Sequence, residues 1–410
     1  MSVTEDVHTR AHAELGERAR RVLPGGSTHR SRTYEPRIYV ARSSGSRKWL
    51  IDGTELVDYT MGHGALLLGH AHPAIVEALR EQVGNGTHYG AAHPLEVEWA
   101  ELITSLVPSA EKVRFTASGT EAVMLALRVA RAATGRDRVI KLQDHFHGWS
   151  DVVSPYLDEN GATRTPIGVP EALGELTHVV PTDDPAALLA ELAVGDVAAV
   201  IMEASGAHYG QMPLDPAFIA AARDECTATG AILIFDEVVT GFRVGPGGMQ
   251  EMLGIIPDMS VLGKVMAGGL PSGAVAGRAE LLELLATTIA HAGTFNANPL
   301  SAVAGITTLR LVADGIPQRT AEDYAIRLAA AWTAALADAG IPGAIRRLTS
   351  ILHIFLDDPR AHSRLANAMR AEGVDILNTS AFCSAAHTQA DLEQTAAAFA
   401  RAIRVAAAPE

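Results

Sequence analysis

Cysteine is scarce in this chain, which has only Cys226 and Cys383 among its 410 residues. Two cysteines without a paired spacing form neither a disulfide framework nor the ligand set of a zinc ribbon, so we expect a reducing compartment. A long apolar run is also missing from the first residues, MSVTEDVHTRAHAELGERARRVLPGG, whose charges alternate at a helical period. This stretch predicts neither a secretion signal nor a membrane anchor, and cytoplasmic localisation is the expectation.

Basic residues are outnumbered, with 33 Lys and Arg against 47 Asp and Glu and a formal net charge of -14 at pH 7. An acidic balance opposes binding to nucleic acids by counterion release and attraction to anionic membranes. Hydrophobic residues make up 48% of the chain, which is enough for a large domain with a smaller one, or for two comparable domains. We therefore expect small-molecule partners, with no nucleic acid and no membrane.

Familiar motifs for phosphate, dinucleotide and metal binding are absent. The Gly-Lys pair at 263–264 is followed by valine rather than serine or threonine, which excludes a P-loop. The segment GHGALLLGH has its glycines at the wrong spacing for a dinucleotide fingerprint. The histidines in the segments 70–72 and 145–147 have no evident further ligands, so the sequence predicts no metal site.

Short β-branched runs alternate with helical patterns from His72 onward. These runs are KVRFT, RVIKL, VAAVIME and AILIFDE. Strands separated by helices predict an α/β domain with a mostly parallel sheet. From about Ser301 the chain becomes rich in alanine and is broken by GIPGAIRR and ILHIFLDD, which indicates a smaller α+β domain.

The N-terminal region contains two local signals. A first helix is predicted to run to about Leu23, because the breaker Pro-Gly-Gly follows it at 24–26. The segment KWLIDGTELVDYT predicts a hairpin that turns at Asp52-Gly53.

The segment VLGKVMAGGLPSG places Lys264 between apolar residues and ahead of Gly268 and Gly269. A lysine in this setting either extends its amine to water or stays within the protein, where desolvation lowers its pKa and frees the amine to react. Both interpretations are open on this segment alone.

Asp236 ends the apolar part of the segment AILIFDEVVTGFR. In open α/β sheets, ligands bind beyond the carboxyl ends of the strands, which is where Asp236 is expected to lie. A buried carboxylate in that position requires a cationic or hydrogen-bonding partner. Alternatively, Asp236 caps a helix or pairs with Arg243.

Ser118, Gly119 and Thr120 stand between the strand and the helix predicted in RFTASGTEAVMLALR. Ser118 with Glu121 fits a capping box, which is a plain helix start. The same geometry leaves backbone N–H groups free to bind a phosphate, and Gly119 permits its close approach. Thr294, in the polar turn of HAGTFNANPLSA, is a second phosphate candidate.

Phe146 follows another predicted strand in VIKLQDHFHGWSD. An aromatic residue in this position is either part of the core or a surface on which a flat cofactor stacks. An offset ring stack would contribute about 0.5–1.5 kcal/mol.

Taken in chain order, these segments resemble the fold type I pyridoxal-phosphate enzymes and, among them, the class III aminotransferases. The resemblance covers nearly the whole chain, through LPGGSTHRSR, GHAHPAIVEAL, SGTEA, FHGW, DEVVTGFR, AGGLP, GTFNANPL and SAAHT. Within the class, GHGALLLGHAHP, HPLEVEWAE and FHGWSD are similar to D-phenylglycine aminotransferases, and the pattern is also similar to glutamate-1-semialdehyde aminomutases. The resemblance implies a mostly parallel seven-stranded sheet in a large cofactor domain, residues 54–305, and a small α+β domain from residues 1–53 and 306–410.

The resemblance also implies roles around the cofactor pyridoxal 5′-phosphate. Lys264 would form the Schiff base with the cofactor and move the substrate proton, and Asp236 would pair with the pyridine nitrogen. Phe146 and Val238 would cover the two faces of the ring. The other implied cofactor contacts are Ser118, Gly119, Thr120, His147, Glu203 and Thr294, the last from the neighbouring subunit of a homodimer with its active site at the subunit interface.

The resemblance implies a substrate side as well. Arg32 matches an arginine that binds a substrate carboxylate through a pair of hydrogen bonds, and an exposed residue of the smaller domain is the alternative. His63 lies where family members vary their substrate pocket, with a hydrogen-bonded loop residue as the alternative. Ala204 replaces the usual proline after Glu203, and with His208 this departure marks a substrate region that differs from the family.

The expected activity is that of an aminotransferase, which moves an amino group from an amino acid or amine to a keto acid or other carbonyl compound in a ping-pong cycle. An intramolecular aminomutase or an amino-acid epimerase on the same scaffold is the alternative. A cofactor-bearing binding or regulatory protein without turnover is a third hypothesis, against which the intact Lys264 and Asp236 argue.

Overall fold

The computed structural model describes residues 3–29, 37–182 and 184–408. Its α-helices in chain order are α1 (Val3–Val22), α2 (Met61–Gly64), α3 (Pro73–Asn85), α4 (Pro94–Leu106), α5 (Gly119–Thr134), α6 (Glu171–Glu175), α7 (Pro185–Ala193), α8 (Ala207–Gly210), α9 (Pro216–Thr229), α10 (Gly248–Leu253), α11 (Ala279–Leu282), α12 (Leu284–Thr287), α13 (Pro299–Val312), α14 (Ile316–Ala339), α15 (Pro359–Ala371) and α16 (Gln389–Ala406). Its strands are β1 (Val40–Ser44), β2 (Arg47–Leu50), β3 (Glu55–Asp58), β4 (Lys112–Thr116), β5 (Arg138–Leu142), β6 (Tyr156–Leu157), β7 (Thr163–Arg164), β8 (Thr177–Val180), β9 (Val197–Met202), β10 (Ile232–Asp236), β11 (Met259–Gly263), β12 (Gly273–Gly277), β13 (Gly343–Leu348), β14 (Ile351–Leu356), β15 (Val374–Asp375) and β16 (Ser380–Phe382). Short 3-10 helices lie at Pro24–Gly26, Asp151–Val153 and Lys264–Ala267.

The chain divides into two compact units. The first consists of Met1–His63, Leu68–His72 and Thr320–Glu410, and the second of Gly64–Leu67 and Pro73–Arg319. The predicted boundaries, after residues 53 and 305, fall earlier in the chain than these divisions. The difference arises because β3 pairs with β15 inside the first unit, whereas α13 packs against α3 and α4 inside the second.

The second unit is built on a seven-stranded sheet in the order β4-β12-β11-β10-β9-β5-β8. All neighbours from β11 to β8 are parallel, and β12 is antiparallel to both β11 and β4. Strand β9, VAAVIM, is buried along its whole length, as a parallel strand covered on both faces requires. The α/β fold with a mostly parallel sheet is thus confirmed, and the four β-branched runs form β4, β5, β9 and β10.

Helix α5 packs its apolar face against this sheet. Its buried residues include Ala122, Val129 and Ala130, which belong to one hydrophobic cluster with Val261 of β11 and Val275 of β12. Their helical spacing gives α5 a continuous apolar stripe, and burial of that stripe fixes the helix on the sheet. The N-terminus of α5 therefore lies rigidly just beyond the carboxyl end of β4.

The first unit contains two smaller sheets, β1-β2-β3-β15 and β13-β14-β16. The hairpin predicted at Asp52-Gly53 is confirmed, since β2 pairs antiparallel with β3 and Gly53 adopts a φ of 89°. The first helix ends at Val22, as its breaker predicts. Helices α14 and α16 contribute Trp332 and Phe399 to the core, with their rings stacked 4.9 Å apart. This α+β unit combines N-terminal and C-terminal segments of the chain, as the predicted small domain does.

No single described helix has the length and hydropathy needed to cross a membrane, and one bent pair, Pro299–Val312 with Ile316–Ala339, meets that test by length and composition alone.

Candidate active site

Ionisable side chains lie where three neighbouring strands of the large sheet end. Strand β9 is followed by Glu203, β10 ends at Asp236, and β11 leads into Lys264. These strands are adjacent and parallel, and Asp236 pairs with Val261 in the ladder between β10 and β11. Since the carboxyl ends of parallel strands meet at one edge, the three side chains lie where α/β proteins bind their ligands.

Lys264 begins a 3-10 helix with a left-handed φ of 47°. The residue is half-buried, and its neighbours Gly263 and Val265 are buried. Burial lowers the pKa of the Lys264 amine, and the nearby carboxylates of Asp236 and Glu203 oppose part of that shift. Of the two interpretations open from the sequence, the structure favours a desolvated amine that loses its proton more readily than an ordinary lysine.

Asp236 is buried, and its two carboxylate oxygens have different partners. Oδ2 accepts from Nδ1 of the buried His147 at 2.8 Å, and Oδ1 accepts from the N–H of Val238 at 3.1 Å. Arg243, the partner considered as an alternative, donates from Nε and Nη2 to the carbonyl oxygen of Gly64. A histidine and a backbone N–H therefore orient the Asp236 carboxylate at the end of its strand.

The predicted phosphate turn is the N-terminus of α5, a helix of 16 residues. Ser118 Oγ accepts from the N–H of Glu121 at 3.2 Å, so Ser118 is a helix cap. Glu121 Oε2 accepts from the N–H of Ala117 at 2.9 Å rather than from Ser118, so the reciprocal bond of a capping box is displaced by one residue. The first N–H groups of a helix have no acceptor within the helix, and they are well placed to bind an anion.

Two glycines keep this turn close to its neighbours. A Cβ on Gly148 would lie 2.5 Å from Oγ1 of Thr120, and a Cβ on Gly119 would lie 3.0 Å from Cγ2 of Val238. Gly148 also has a φ of 88°, which other residues rarely adopt. Glycine at both positions therefore permits the close approach of the neighbouring segments to this turn.

Phe146 is 65% exposed, which excludes its interpretation as a core residue. Its N–H donates to Oε1 of Glu203 at 2.9 Å, and the next residue, His147, contacts Asp236. The ring is therefore anchored through its backbone beside the strand ends. An exposed aromatic ring fixed in this way offers a face on which a planar molecule can stack.

The carboxylate of Glu203 is buried and accepts three backbone N–H groups. The donors are those of Phe146 at 2.9 Å, His208 at 3.3 Å and Tyr209 at 2.8 Å. Burial and the nearby Asp236 raise the pKa of Glu203 to about 7, against the opposing effect of these hydrogen bonds. The sequence identified Glu203 and His208 but gave no signal for Tyr209, which takes part only through its backbone.

The histidine pair at 145–147 has hydrogen-bonding roles. Nδ1 of His145 accepts from the N–H of Glu203 at 2.9 Å, and burial lowers the pKa of His145 to about 2. His145 is therefore neutral with its proton on Nε2. Across the described ranges, no group of three or more His, Cys, Asp or Glu side chains is arranged to hold a metal ion.

Three further residues are predicted to contact the cofactor or the substrate, and the structure describes two of them. Thr294 is exposed in a loop of the second unit, where its carbonyl oxygen contacts Nε2 of His88. His63 belongs to the first unit, where it is half-buried, has a φ of 57° and lines a cavity of about 450 Å³. Arg32 lies outside the described residues. The roles implied for all three stay predictions.

Comparison with known proteins establishes the family. Residues 29–388 match the model of the class-III aminotransferases. The chain is 40% identical over 415 residues to a glutamate-1-semialdehyde 2,1-aminomutase of Methanopyrus kandleri, with 95% of this chain and 96% of the relative covered. The chain therefore belongs to the class III aminotransferase family, whose enzymes depend on pyridoxal phosphate.

Solved structures give the same fold. An omega-transaminase from Sphaerobacter thermophilus matches with a TM-score of 0.92 and 35% identity, covering 97% of this chain and 98% of that one. A glutamate-1-semialdehyde aminomutase from Pseudomonas aeruginosa PAO1 matches with a TM-score of 0.87 and 25% identity, covering 97% of each chain. Both similarities extend over the large and the small domain, and they confirm the fold type I architecture.

The cofactor of this chain is pyridoxal 5′-phosphate. A solved transaminase with this cofactor bound matches with a TM-score of 0.92 and 33% identity. The described residues fit the group chemically, because the site combines an amine of lowered pKa, a buried acid, an exposed aromatic ring and a glycine-lined helix N-terminus. These features suit an aldehyde, a pyridine nitrogen, a flat ring and a phosphate, respectively.

Proposed function

We propose that this chain is an aminotransferase, which moves an amino group between an amino acid or amine and a keto acid or other carbonyl acceptor by a ping-pong mechanism. The observation that carries the proposal is a desolvated Lys264 near Asp236, whose carboxylate is held by His147. Similarity to the omega-transaminase, at 35% identity, supports transfer between two substrates.

Lys264 and Asp236 carry the chemistry in this proposal. Bound pyridoxal phosphate supplies an electron-withdrawing ring that draws negative charge away from a deprotonated substrate carbon. Asp236 keeps a proton at the pyridine nitrogen, because a buried carboxylate stabilises the adjacent positive charge. Lys264 would hold the cofactor through its amine, and as a free base it would remove the substrate proton and return it. Its lowered pKa makes the neutral amine available at a lower pH than in an ordinary lysine.

Other residues hold and enclose the cofactor. Gly119 and Thr120, with the cap Ser118, bind the phosphate at the N-terminus of α5. Phe146 and Val238 enclose the ring. Thr294 reaches the phosphate from the neighbouring subunit of a homodimer, and its exposure in the single chain is compatible with contact to a second copy.

The substrate contacts in the proposal are Arg32, His63 and His208. Arg32 binds a substrate carboxylate through a pair of hydrogen bonds. His208 is exposed in the turn that follows Glu203, where its side chain is free of the core. His63 contributes to the part of the site that selects the substrate side chain.

A second candidate is an intramolecular aminomutase. The observation in its favour is the 40% identity to a curated glutamate-1-semialdehyde 2,1-aminomutase over nearly the full length of both chains. Such an enzyme isomerises one substrate, whereas an aminotransferase requires a second carbonyl compound to complete its cycle.

Single-turnover measurements separate the two candidates. Holoenzyme is mixed with a panel of amino donors in the absence of an acceptor, and the released carbonyl product is quantified against enzyme. We expect a donor that releases about one equivalent and stops until a keto acid is added. Isomerisation or epimerisation of a lone substrate, with no carbonyl co-substrate required, would instead establish the isomerase.

A further inference from the structure

The carboxylate of Glu203 joins two separate loops of the second unit. One loop follows β5 and donates the N–H of Phe146, and the other follows β9 and donates the N–H groups of His208 and Tyr209. Oε1 accepts from Phe146 and His208, and Oε2 accepts from Tyr209. Both oxygens are thus engaged by backbone donors, so Glu203 acts through these loops.

The connection is reciprocal, because the loop after β5 also holds the backbone of Glu203. Nδ1 of His145 accepts from the N–H of Glu203 at 2.9 Å, one residue away from the Phe146 N–H that donates to Glu203 Oε1. Neutral His145 can serve as this acceptor because its burial strongly disfavours protonation. Two hydrogen bonds in opposite directions therefore fix the loops against each other.

The loop after β9 has a backbone that requires such support. His208 and Tyr209 are both left-handed, with φ of 52° and 50°. Non-glycine residues persist in this region only where the surrounding structure holds them. Here the Glu203 carboxylate binds both of their N–H groups at once, and the N–H of Met212 closes the turn by donating to the carbonyl oxygen of Ala207 at 3.2 Å.

The same turn is restricted at its first residue. Gly206 has a φ of 88°, and a Cβ there would lie 2.6 Å from Cα of Pro213 and closer still to the carbonyl oxygen of Met212. The turn therefore has little freedom to adopt another shape while the Glu203 side chain is in place. Its conformation determines where the side chains of His208 and Tyr209 project.

We infer that Glu203 is a positioning residue that sets the substrate preference of the enzyme, because it fixes the turn carrying His208 and Tyr209 relative to Phe146. The inference rests on the proposed aminotransferase activity, in which this turn borders the substrate. The substrates concerned are amino donors that differ in the size and polarity of their side chains.

The test compares Glu203→Gln with a matched control. A glutamine retains one acceptor oxygen, but its NH₂ group must then point at an N–H donor of Phe146, His208 or Tyr209. The hydrogen bonds to at least one of the two loops are therefore lost. Glu237 supplies the control, since it is also buried and also accepts backbone N–H groups, those of Met249 and Gln250 at 3.0 and 3.1 Å, at the start of α10.

The measured quantity is the ratio of kcat/KM for two donors, one with a small and one with a bulky side chain, on holoenzyme that retains its cofactor absorbance. We expect Glu203→Gln to change this ratio by about tenfold or more. Glu237→Gln should leave the ratio within about twofold of wild type, although it lowers stability. An unchanged ratio in a cofactor-loaded Glu203→Gln enzyme would overturn the inference.

A measurement on wild-type holoenzyme covers the case in which Glu203→Gln does not fold. The folded enzyme is exchanged and then digested, and the fragment that spans residues 204–212 is analysed. The N–H groups of His208 and Tyr209 should be protected from exchange, and rapid exchange at both would overturn the inference. A wild-type enzyme that transaminates no donor contradicts the proposed function instead, and the exchange result still decides whether Glu203 holds the turn.

Discussion

Gly305 offers a test of how the lysine segment is supported. It lies in the middle of α13, where replacement of glycine by alanine ordinarily stabilises a helix by about 0.5–1 kcal/mol. A Cβ at this position would, however, lie 2.6 Å from Cζ2 of Trp99 and closer still to its Cε2 and Nε1. Trp99 is fully buried, stacks on Phe115 at 4.3 Å and donates from Nε1 to the carbonyl oxygen of Met266 at 3.3 Å. The ring is therefore held by packing and by a hydrogen bond, and an added Cβ would force the ring or its neighbours to shift.

The magnitudes predict that Gly305→Ala destabilises the protein. Overpacking costs about 1–3 kcal/mol, and loss of the indole hydrogen bond costs about 0.5–1.5 kcal/mol, so together they exceed a gain of about 1 kcal/mol in helix propensity. We expect the free energy of unfolding to fall by about 1–3 kcal/mol. Because Met266 lies in the 3-10 helix that begins at Lys264, the variant should also retain the cofactor less well.

Gly84→Ala is the matched control for this prediction. Gly84 is exposed in α3, and a Cβ there would meet nothing within 4 Å, so alanine should stabilise by up to about 1 kcal/mol. Urea unfolding followed by circular dichroism measures both variants under the same conditions. A Gly305→Ala protein as stable as wild type would refute the reasoning, because it would show that Trp99 can be displaced without loss.

Three further predictions concern the ionisable groups of the site. Lys264→Ala should abolish the borohydride-reducible link to the cofactor, as seen by mass spectrometry, and turnover with it; an active alanine variant would eliminate the proposed mechanism. Asp236→Ala should fold but slow proton abstraction by about 10²–10³-fold in stopped-flow half-reactions, and unchanged rates would assign the pyridine contact to another acid. Burial raises the pKa of Glu203 from 4.5 to about 7, so the folded state binds this proton more tightly than the unfolded state does. As the pH rises from about 4.5 to 7, the free energy of unfolding of wild type should therefore fall by about 3 kcal/mol relative to that of Glu203→Gln. If urea titrations show that the difference between the two proteins does not depend on pH, the raised pKa of Glu203 is contradicted.

Much of the fold could be predicted from the sequence because its signals are local. The run AILIFD is apolar and β-branched over the length of one strand, and it forms β10 with Asp236 at its end. Asp52-Gly53 supplies the positive φ that a tight hairpin needs. Likewise, the capping pattern of Ser118 and Glu121 predicted a helix start, and the rule for parallel sheets placed Asp236 at the carboxyl end of its strand.

The internal support of the site could not be predicted, because its contacts join residues that are distant in the chain. The N–H of Phe146 and the carboxylate of Glu203 are separated by 57 positions, and a backbone donor leaves no mark on residue type. The left-handed conformation of His208 and Tyr209 is equally hidden, since a pattern signals positive φ mainly through glycine. The partner of Asp236 was equally hard to predict. The sequence offered Arg243 because it is near in the chain, whereas the residue that binds Asp236 is His147, from another loop.

Left-handed non-glycine backbone occurs at Lys264, His208 and Tyr209, and each such residue costs of the order of 1–3 kcal/mol unless its surroundings stabilise it. The supports differ. The 3-10 turn that begins at Lys264 is held by the hydrogen bond from Trp99 Nε1 to the carbonyl oxygen of Met266. At His208 and Tyr209, the backbone N–H groups are held by the Glu203 carboxylate. A weakened Trp99 contact should therefore displace the amine and lower kcat for every donor, because proton transfer depends on sub-ångström placement. A weakened Glu203 contact leaves the 3-10 turn of Lys264 in place and should change which donors are accepted more than the rate common to all donors, so variants on the two sides of the site should separate rate from preference.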